Sequence, residues 1–289
     1  MGKLNHQTLG KQDTSIQTEK FFISIGGIGC AIISHDVRFL DLLRTRYQWF
    51  QSSGPAAYEI LVRLAPIDEF DLEMTSQPFY PLVRKMTSGD NYIIRRVDNP
   101  FVAVVNTSSR KVLVKMWNSQ YCFDSFLRML FTLILSDEEG LLLQASAVSD
   151  NGRATVFFGP PGSGKTMATR LYAGRKILTD GMVIIKPHNG GFRVYGTPFG
   201  GDFTFGRSNA RAELAGLYLL KKDTKNSLVP LDSTQAVENL YKCALIFGDD
   251  HKMSSRIRHT CGSLVETIPV YELHFSPAPS FWQEVNVRI

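Results

Sequence analysis

The chain of 289 residues carries a formal net charge of +5 and is 44% hydrophobic, with 19 Phe and 10 Tyr, enough apolar material for one large domain or two unequal ones. Its 32 Lys and Arg are scattered, and the short runs Arg95-Arg96 and Lys221-Lys222 read as solvated surface, so they do not spell a nucleic-acid groove. Cys30, Cys122, Cys243 and Cys261 stand far apart, with no CxxC pair and no His at metal spacing, which argues against a disulfide scaffold and a structural zinc.

Residues 1–19 are polar, lack the apolar core of a signal peptide and read as a disordered lead-in. Residues 21–33 are β-branched and aromatic, broken at Gly26-Gly27, and predict a hairpin. Val37, Leu40, Leu43 and Tyr47 fall at helical spacing, with Asp36 available as N-cap. A strand is predicted over 58–64, then a loop with Pro and acidic residues over 65–77. Residues 92–97, 102–106 and 111–117 predict an antiparallel meander with turns at Asn99-Pro100 and 107–110. Phe123, Phe126, Leu127, Leu130, Phe131 and Ile134 mark a buried helix over 120–135. With Arg128 inside it, this apolar stretch is too short to span a bilayer. The expectation is a cytoplasmic chain without membrane or nucleic-acid partners, divided into the lead-in, an α+β region over 20–140 and a second unit over 141–289.

From Leu141 the pattern changes. Strands over 141–148 and 154–158 flank the turn Asp150-Asn151-Gly152. A glycine-rich loop follows, then a helix over 165–173 and strands near 176–178, 182–186 and 192–195. Further strands are predicted over 214–220 and 270–275, with a helix over 233–240 capped by Ser233. Strands outnumber helices, so a plain βαβαβ repeat is not expected.

The loop Gly159-Pro160-Pro161-Gly162-Ser163-Gly164-Lys165-Thr166 matches G-x-x-x-x-G-K-[ST]. It follows an apolar strand and opens a helix, the context in which backbone amides and a helix dipole cradle phosphates. Lys165 is placed to reach the β- and γ-phosphates as a point charge, the Thr166 hydroxyl to ligate Mg²⁺, and Met167 to complete the nucleotide-binding stretch. A triphosphate site needs a carboxylate for the metal or for the attacking hydroxyl, and Asp180, at the end of a short apolar strand, is the candidate. Its other reading is the start of an Asp-Gly turn. Residues 195–202 are glycine-dense, with Thr197 and Asp202, and permit close backbone approach to a ligand. Arg207 and Arg211 follow and could neutralise phosphoryl oxygens, although an isolated arginine is more often solvated surface.

These pieces in this order resemble the catalytic domain of HPr kinase/phosphorylase and its kinase-like relatives, which share a nucleotide-binding core with phosphoenolpyruvate carboxykinases. The resemblance covers roughly 141–285. It rests on Leu143-Gln144-Ala145-Ser146-Ala147-Val148, the loop Gly159 to Thr166, Leu178-Thr179-Asp180, Gly196-Thr197-Pro198-Phe199-Gly200-Gly201, the strand at 214–220, and Phe281-Trp282. Residues 21–140 resemble the β-rich front half of HPr-kinase-like proteins more weakly. It implies a strand-rich α/β fold, a P-loop core of the carboxykinase type with a smaller α+β N-terminal domain. It also implies ATP- and Mg²⁺-dependent transfer of the γ-phosphoryl group to a serine of a protein or peptide. Lys165 and Thr166 would bind phosphate and metal, and Asp180 falls on the first of the family's paired aspartates. Two departures matter: Gln144 replaces a histidine, and Gly181 replaces the second aspartate. Glutamine shuttles no proton at pH 7, which removes support for phosphorolysis. Base and metal duties then rest on Asp180, or one of them passes to Asp202. The competing readings are a nucleotide-binding module without turnover and a small-molecule kinase; a homo-oligomer is left open.

Overall fold

The computed structural model describes residues 18–70, 82–86, 90–171, 176–200, 208–247 and 250–277. The expected lead-in therefore lies outside the described residues, apart from its last two positions.

Strands β1 (Glu19–Ile25) and β2 (Ile28–Ser34) form the predicted hairpin, turning through Gly26 and Gly27, both at positive φ. Helix α1 (Val37–Arg46) is capped as expected, the Phe39 amide donating to Asp36 Oδ1 at 2.8 Å. It crosses to β3 (Tyr58–Leu64), which lies parallel to β2. Strand β4 (Leu82–Lys85) was not predicted; it extends the meander of β5 (Asn91–Arg96), β6 (Phe101–Asn106) and β7 (Lys111–Met116). The seven strands form one sheet in the order β1-β2-β3-β7-β6-β5-β4.

Helix α2 (Gln120–Asp137) buries 14 of its 18 residues. Even the polar Asp124, Ser125, Thr132 and Ser136 are among them, so the helix is enclosed on most sides. Phe126 meets Phe101 of β6 at 5.7 Å between ring centroids, and Phe131 meets Phe199 of the second unit at 5.8 Å. One core cluster joins α1, α2 and the inner face of the first sheet to Leu142, Ile184 and Phe199. Each fully buried Leu or Phe contributes about 1.5–3 kcal/mol, so α2 ties the first sheet to Leu142, Ile184 and Phe199. The buried Asp124 fixes the α1–α2 register, accepting from Tyr47 and Arg46 at the end of α1.

The second sheet comprises β8 (Leu141–Leu143), β9 (Ala145–Asp150), β10 (Arg153–Phe158), β11 (Lys176–Asp180), β12 (Val183–His188), β13 (Gly191–Tyr195), β14 (Arg211–Lys222), β15 (Ser227–Pro230) and β16 (Val270–Phe275). The order is β11-β9-β10-β14-β13-β12-β8, with β16 also on β14 and β15 on β16. The single strand predicted over 141–148 is two, because the chain changes partners at Gln144: β8 pairs with β12, and β9 with β10 and β11. The β9–β10 turn passes through Asn151 and Gly152, both at positive φ.

Three helices complete this unit: α3 (Lys165–Arg170), α4 (Ser233–Cys243) and α5 (His251–Thr267). Asp232, not Ser233, caps α4, its carboxylate accepting from the amides of Thr234 and Gln235. Helix α5 had no prediction. Its apolar stripe is narrow, with Met253, Ile257, Cys261 and Leu264 buried along an otherwise polar sequence. The protein is thus a strand-rich mixed α/β structure, and no described helix is long and apolar enough to cross a membrane.

Candidate functional site

Strand β10 lies between antiparallel β9 and parallel β14, and β16 is parallel to β14. Three strands therefore bring their carboxyl ends to one edge of the sheet, where open α/β sheets bind ligands. The glycine-rich loop leaves β10 at this edge. Gly159, Gly162 and Gly164 adopt φ of 142°, 79° and 106°, values that favour glycine and let successive amides turn toward one concavity. Gly164 is also required sterically, since a Cβ there would stand 3.0 Å from the Phe275 ring at the end of β16. Pro160, Pro161 and Gly162 are exposed, as is Met167 on α3, while Ser163 is buried.

The loop's polar groups are incompletely used. Ser163 Oγ is buried and has no hydrogen-bond partner among the described residues. An orphaned buried hydroxyl calls for an explanation, and an absent acceptor is one. Lys165 Nζ donates to the carbonyls of Gly159 and Pro160 at 2.9 and 3.0 Å, leaving one of its three N–H groups. Partial burial holds this ammonium below its usual range, with Cys243 and Asp180 acting in the opposite direction. Glycines, a spare hydroxyl and a cation suit a phosphate group.

Asp180 closes β11, directly opposite Ser146 of β9. Its Oδ1 accepts from Ser146 Oγ at 2.8 Å and from Thr166 Oγ1 at 3.1 Å. The structure therefore brings Thr166 and Asp180 together, 14 residues apart in sequence. Both hydroxyls donate to one carboxylate oxygen, so among the described residues Oδ2 is left without a donor. Among the same residues, no cluster of three or more His, Cys, Asp and Glu is placed to hold a metal. A cation here would rest on Asp180, Thr166 and the oxygens of its ligand, as Mg²⁺ does when it accompanies phosphates.

Two neighbours were not singled out from the sequence. Ser146 is fully buried, and its only advance signal was one hydroxyl in a run of small apolar residues. Cys243, the last residue of α4, lies against the loop, and its carbonyl accepts from the Gln144 amide at 2.8 Å. Burial pushes the Cys243 thiol up, while the Gly159 amide and the Lys165 ammonium pull it down.

Gly181, where the resemblance calls for an aspartate, has φ 141° and exchanges backbone hydrogen bonds with Ala145. That conformation favours glycine, so backbone and sequence agree that one carboxylate stands here, not two. Asp202 and Arg207 lie outside the described residues. Arg211 is described and is not at the site. It opens β14, while Leu219 of the same strand pairs with Phe158 before the loop, about 25 Å further along.

The turn at 195–200 proves structural. Thr197 is buried; its hydroxyl donates to Met182 O at 2.7 Å and accepts from the Phe199 amide at 3.2 Å. At Gly196 an added Cβ would fall 1.9 Å from Ser208 O and 2.4 Å from Leu178 O. Both obstacles are backbone, so Gly196→Ala is expected to lower stability by about 3 kcal/mol and to displace the strand that carries Asp180. Urea unfolding of the two proteins measures this, and an unchanged midpoint would contradict the packing described.

Fold and site thus define a strand-rich α/β protein in which a glycine-rich loop, a lysine and a hydroxyl–carboxylate cluster meet at a sheet edge. Residues 106–289 match the family model described as SynChlorMet cassette protein ScmC, and the chain belongs to that family. Among solved structures, the chain is similar to the Hpr(Ser) kinase/phosphatase from Coxiella burnetii. The identity is 13%, covering 50% of this chain and 96% of that one, with a TM-score of 0.30, a likeness too loose to carry an argument. No curated protein matches.

Proposed function

We propose that the chain binds ATP with Mg²⁺ and transfers the γ-phosphoryl group to a serine hydroxyl of a protein or peptide, on a P-loop core of the carboxykinase type. The observation that supports this best is the convergence of Thr166 and Ser146 on Asp180 beside Lys165 and the glycine-rich loop. In this reading the loop amides, the Ser163 hydroxyl and Lys165 hold phosphate oxygens. Thr166, by donating its proton to Asp180, turns its oxygen lone pairs away from the carboxylate. The Oδ2 of Asp180, without a donor among the described residues, serves the metal or takes the proton of the acceptor hydroxyl. A bound magnesium ion supplies charge neutralisation on the phosphates. Catalysis is then mostly positioning and electrostatics.

A second reading, nucleotide binding without turnover, is favoured by the backbone at Gly181, which leaves one carboxylate for two duties. Both readings require the nucleotide. Titration calorimetry with ATP tests them: affinity is expected to fall at least about tenfold when EDTA replaces Mg²⁺. Absence of ATP binding in both conditions would overturn both readings, and equal affinity in both would remove the metal. Incubating the chain with γ-labelled ATP and a cell lysate then separates them, because only a kinase leaves label on serine.

A further inference from the structure

The first sheet has a second face. Helices α1 and α2 cover one side, and the described elements leave the other open. Across it the pairing register aligns Ile33 with Leu61, Leu61 with Leu113, Leu113 with Val104, and Val104 with Ile93. These five residues form a continuous apolar row over β2, β3, β7, β6 and β5, spanning about 19 Å at the usual strand spacing. Leu61, Leu113 and Val104 remain 39%, 51% and 39% exposed. The solvated face of an antiparallel or mixed sheet is ordinarily polar, and a contiguous apolar row rimmed by charge marks an interaction surface.

The rim is basic. Lys20 stands opposite Ile33 at one end of the row and Arg84 opposite Ile93 at the other. One register step along the strands, Arg63, Lys115 and Arg95 border one side, joined by Val102, and Lys111 borders the other beside Glu59. Glu59 is the one carboxylate that strands β1–β7 place among these six cations, and it lies 4.0 Å from Lys20 Nζ. The chain itself shows what this surface accepts. At its margin Glu69 pairs with Lys115 at 2.7 Å, and the adjacent Phe70 ring lies 5.2 Å from the same ammonium.

We propose that this face docks an acidic amphipathic helix of a partner protein, with its apolar stripe on the Ile33–Ile93 row and its carboxylates on the flanking cations. A helix of about thirteen residues spans the row. A second copy of the chain is disfavoured by charge, because stacking two such faces would oppose one basic rim to another. The face lies on the side of the first sheet away from α1 and α2 and uses none of the residues assigned to nucleotide, so the proposal is independent of the nucleotide reading.

The test uses the full chain and a fluorescein-labelled helix-forming peptide of about fourteen residues built from Glu, Leu and Ala, with binding read by anisotropy. Saturable binding is expected, weakened by salt and at least about tenfold weaker in the double variant Leu61→Thr, Leu113→Thr. Threonine keeps the strand propensity, and circular dichroism checks the fold. Should that variant misfold, Arg63→Gln with Lys111→Gln is expected to weaken binding while leaving the core untouched. The proposal is overturned by absent binding, by equal affinity in the parent and a folded variant, or by equal affinity for the same peptide with Lys in place of Glu. Two further outcomes overturn it in favour of other occupants. One is a dimer in sedimentation that Leu61→Thr, Leu113→Thr dissociates while the peptide fails to compete. The other is binding to phosphatidylserine vesicles without binding to the peptide.

Discussion

Lys165→Ala is expected to abolish ATP binding while leaving the fold in place. The side chain is half-buried and makes its two hydrogen bonds to carbonyls of its own loop, so its removal opens no core cavity. Its loss takes away the cation nearest the proposed phosphates. A charge-assisted hydrogen bond to a phosphate oxygen contributes about 1.5–3 kcal/mol, and the Coulomb attraction adds to it, so a loss of about a hundredfold or more in affinity is expected. Calorimetry on parent and variant, with melting curves as the control for folding, decides the matter. Equal ATP affinity would sink the assignment of the loop.

Asp180→Asn is expected to reduce phosphoryl transfer by about 10²–10⁴ while affecting ATP binding far less. Asparagine retains an acceptor oxygen for the Ser146 and Thr166 hydroxyls, so the cluster can keep its shape. It loses the charge that steadies a metal and the basicity that takes a proton. Loop and lysine act on the ground state, whereas a base acts mainly in the transition state, hence the split between rate and affinity. If Asp202 holds the base role instead, Asp202→Asn carries the rate loss and Asp180→Asn weakens Mg²⁺-dependent binding. Parental activity in both single variants would remove both carboxylates from the chemistry. ATP binding with no transfer to any serine would leave the nucleotide-binding reading standing.

The glycine-rich loop was legible because its residues are constrained one by one. Positive φ at Gly159 and Gly164 leaves a characteristic spacing that needs no partner to recognise. Thr166 and Asp180 were legible as separate candidates, but their contact depends on β11 returning antiparallel to β9, which no local pattern states. Ser146 was hidden for the same reason: a serine in a strand is ordinary until its cross-strand neighbour is a carboxylate. Arg211 is exposed, as an isolated arginine usually is, and its nearness in sequence does not bring it to the loop, since β14 is 12 residues long and carries its first residue far away. The hairpin at 19–34 and the meander were readable from alternation and turns. Helix α5 was obscured by a narrow stripe in polar surroundings, and β4 and β15, four residues each, are too short to show a period. The partner change at Gln144 is a tertiary event, set by β12 and the end of α4, and the sequence there reads as one unbroken strand.

The burial of α2 on nearly every side has a consequence for how the molecule comes apart. Its Phe101 contact lies in the first sheet and its Phe199 contact in the turn after β13. The core of the first sheet thus opens once the helix leaves, whereas the second sheet keeps apolar clusters that contain no α2 residue. Loss of α2 is therefore expected to unfold the first sheet while the second keeps the core it builds with α4 and α5. A gene cut near residue 140 would leave each fragment with half of an interface and a large apolar surface open to aggregation.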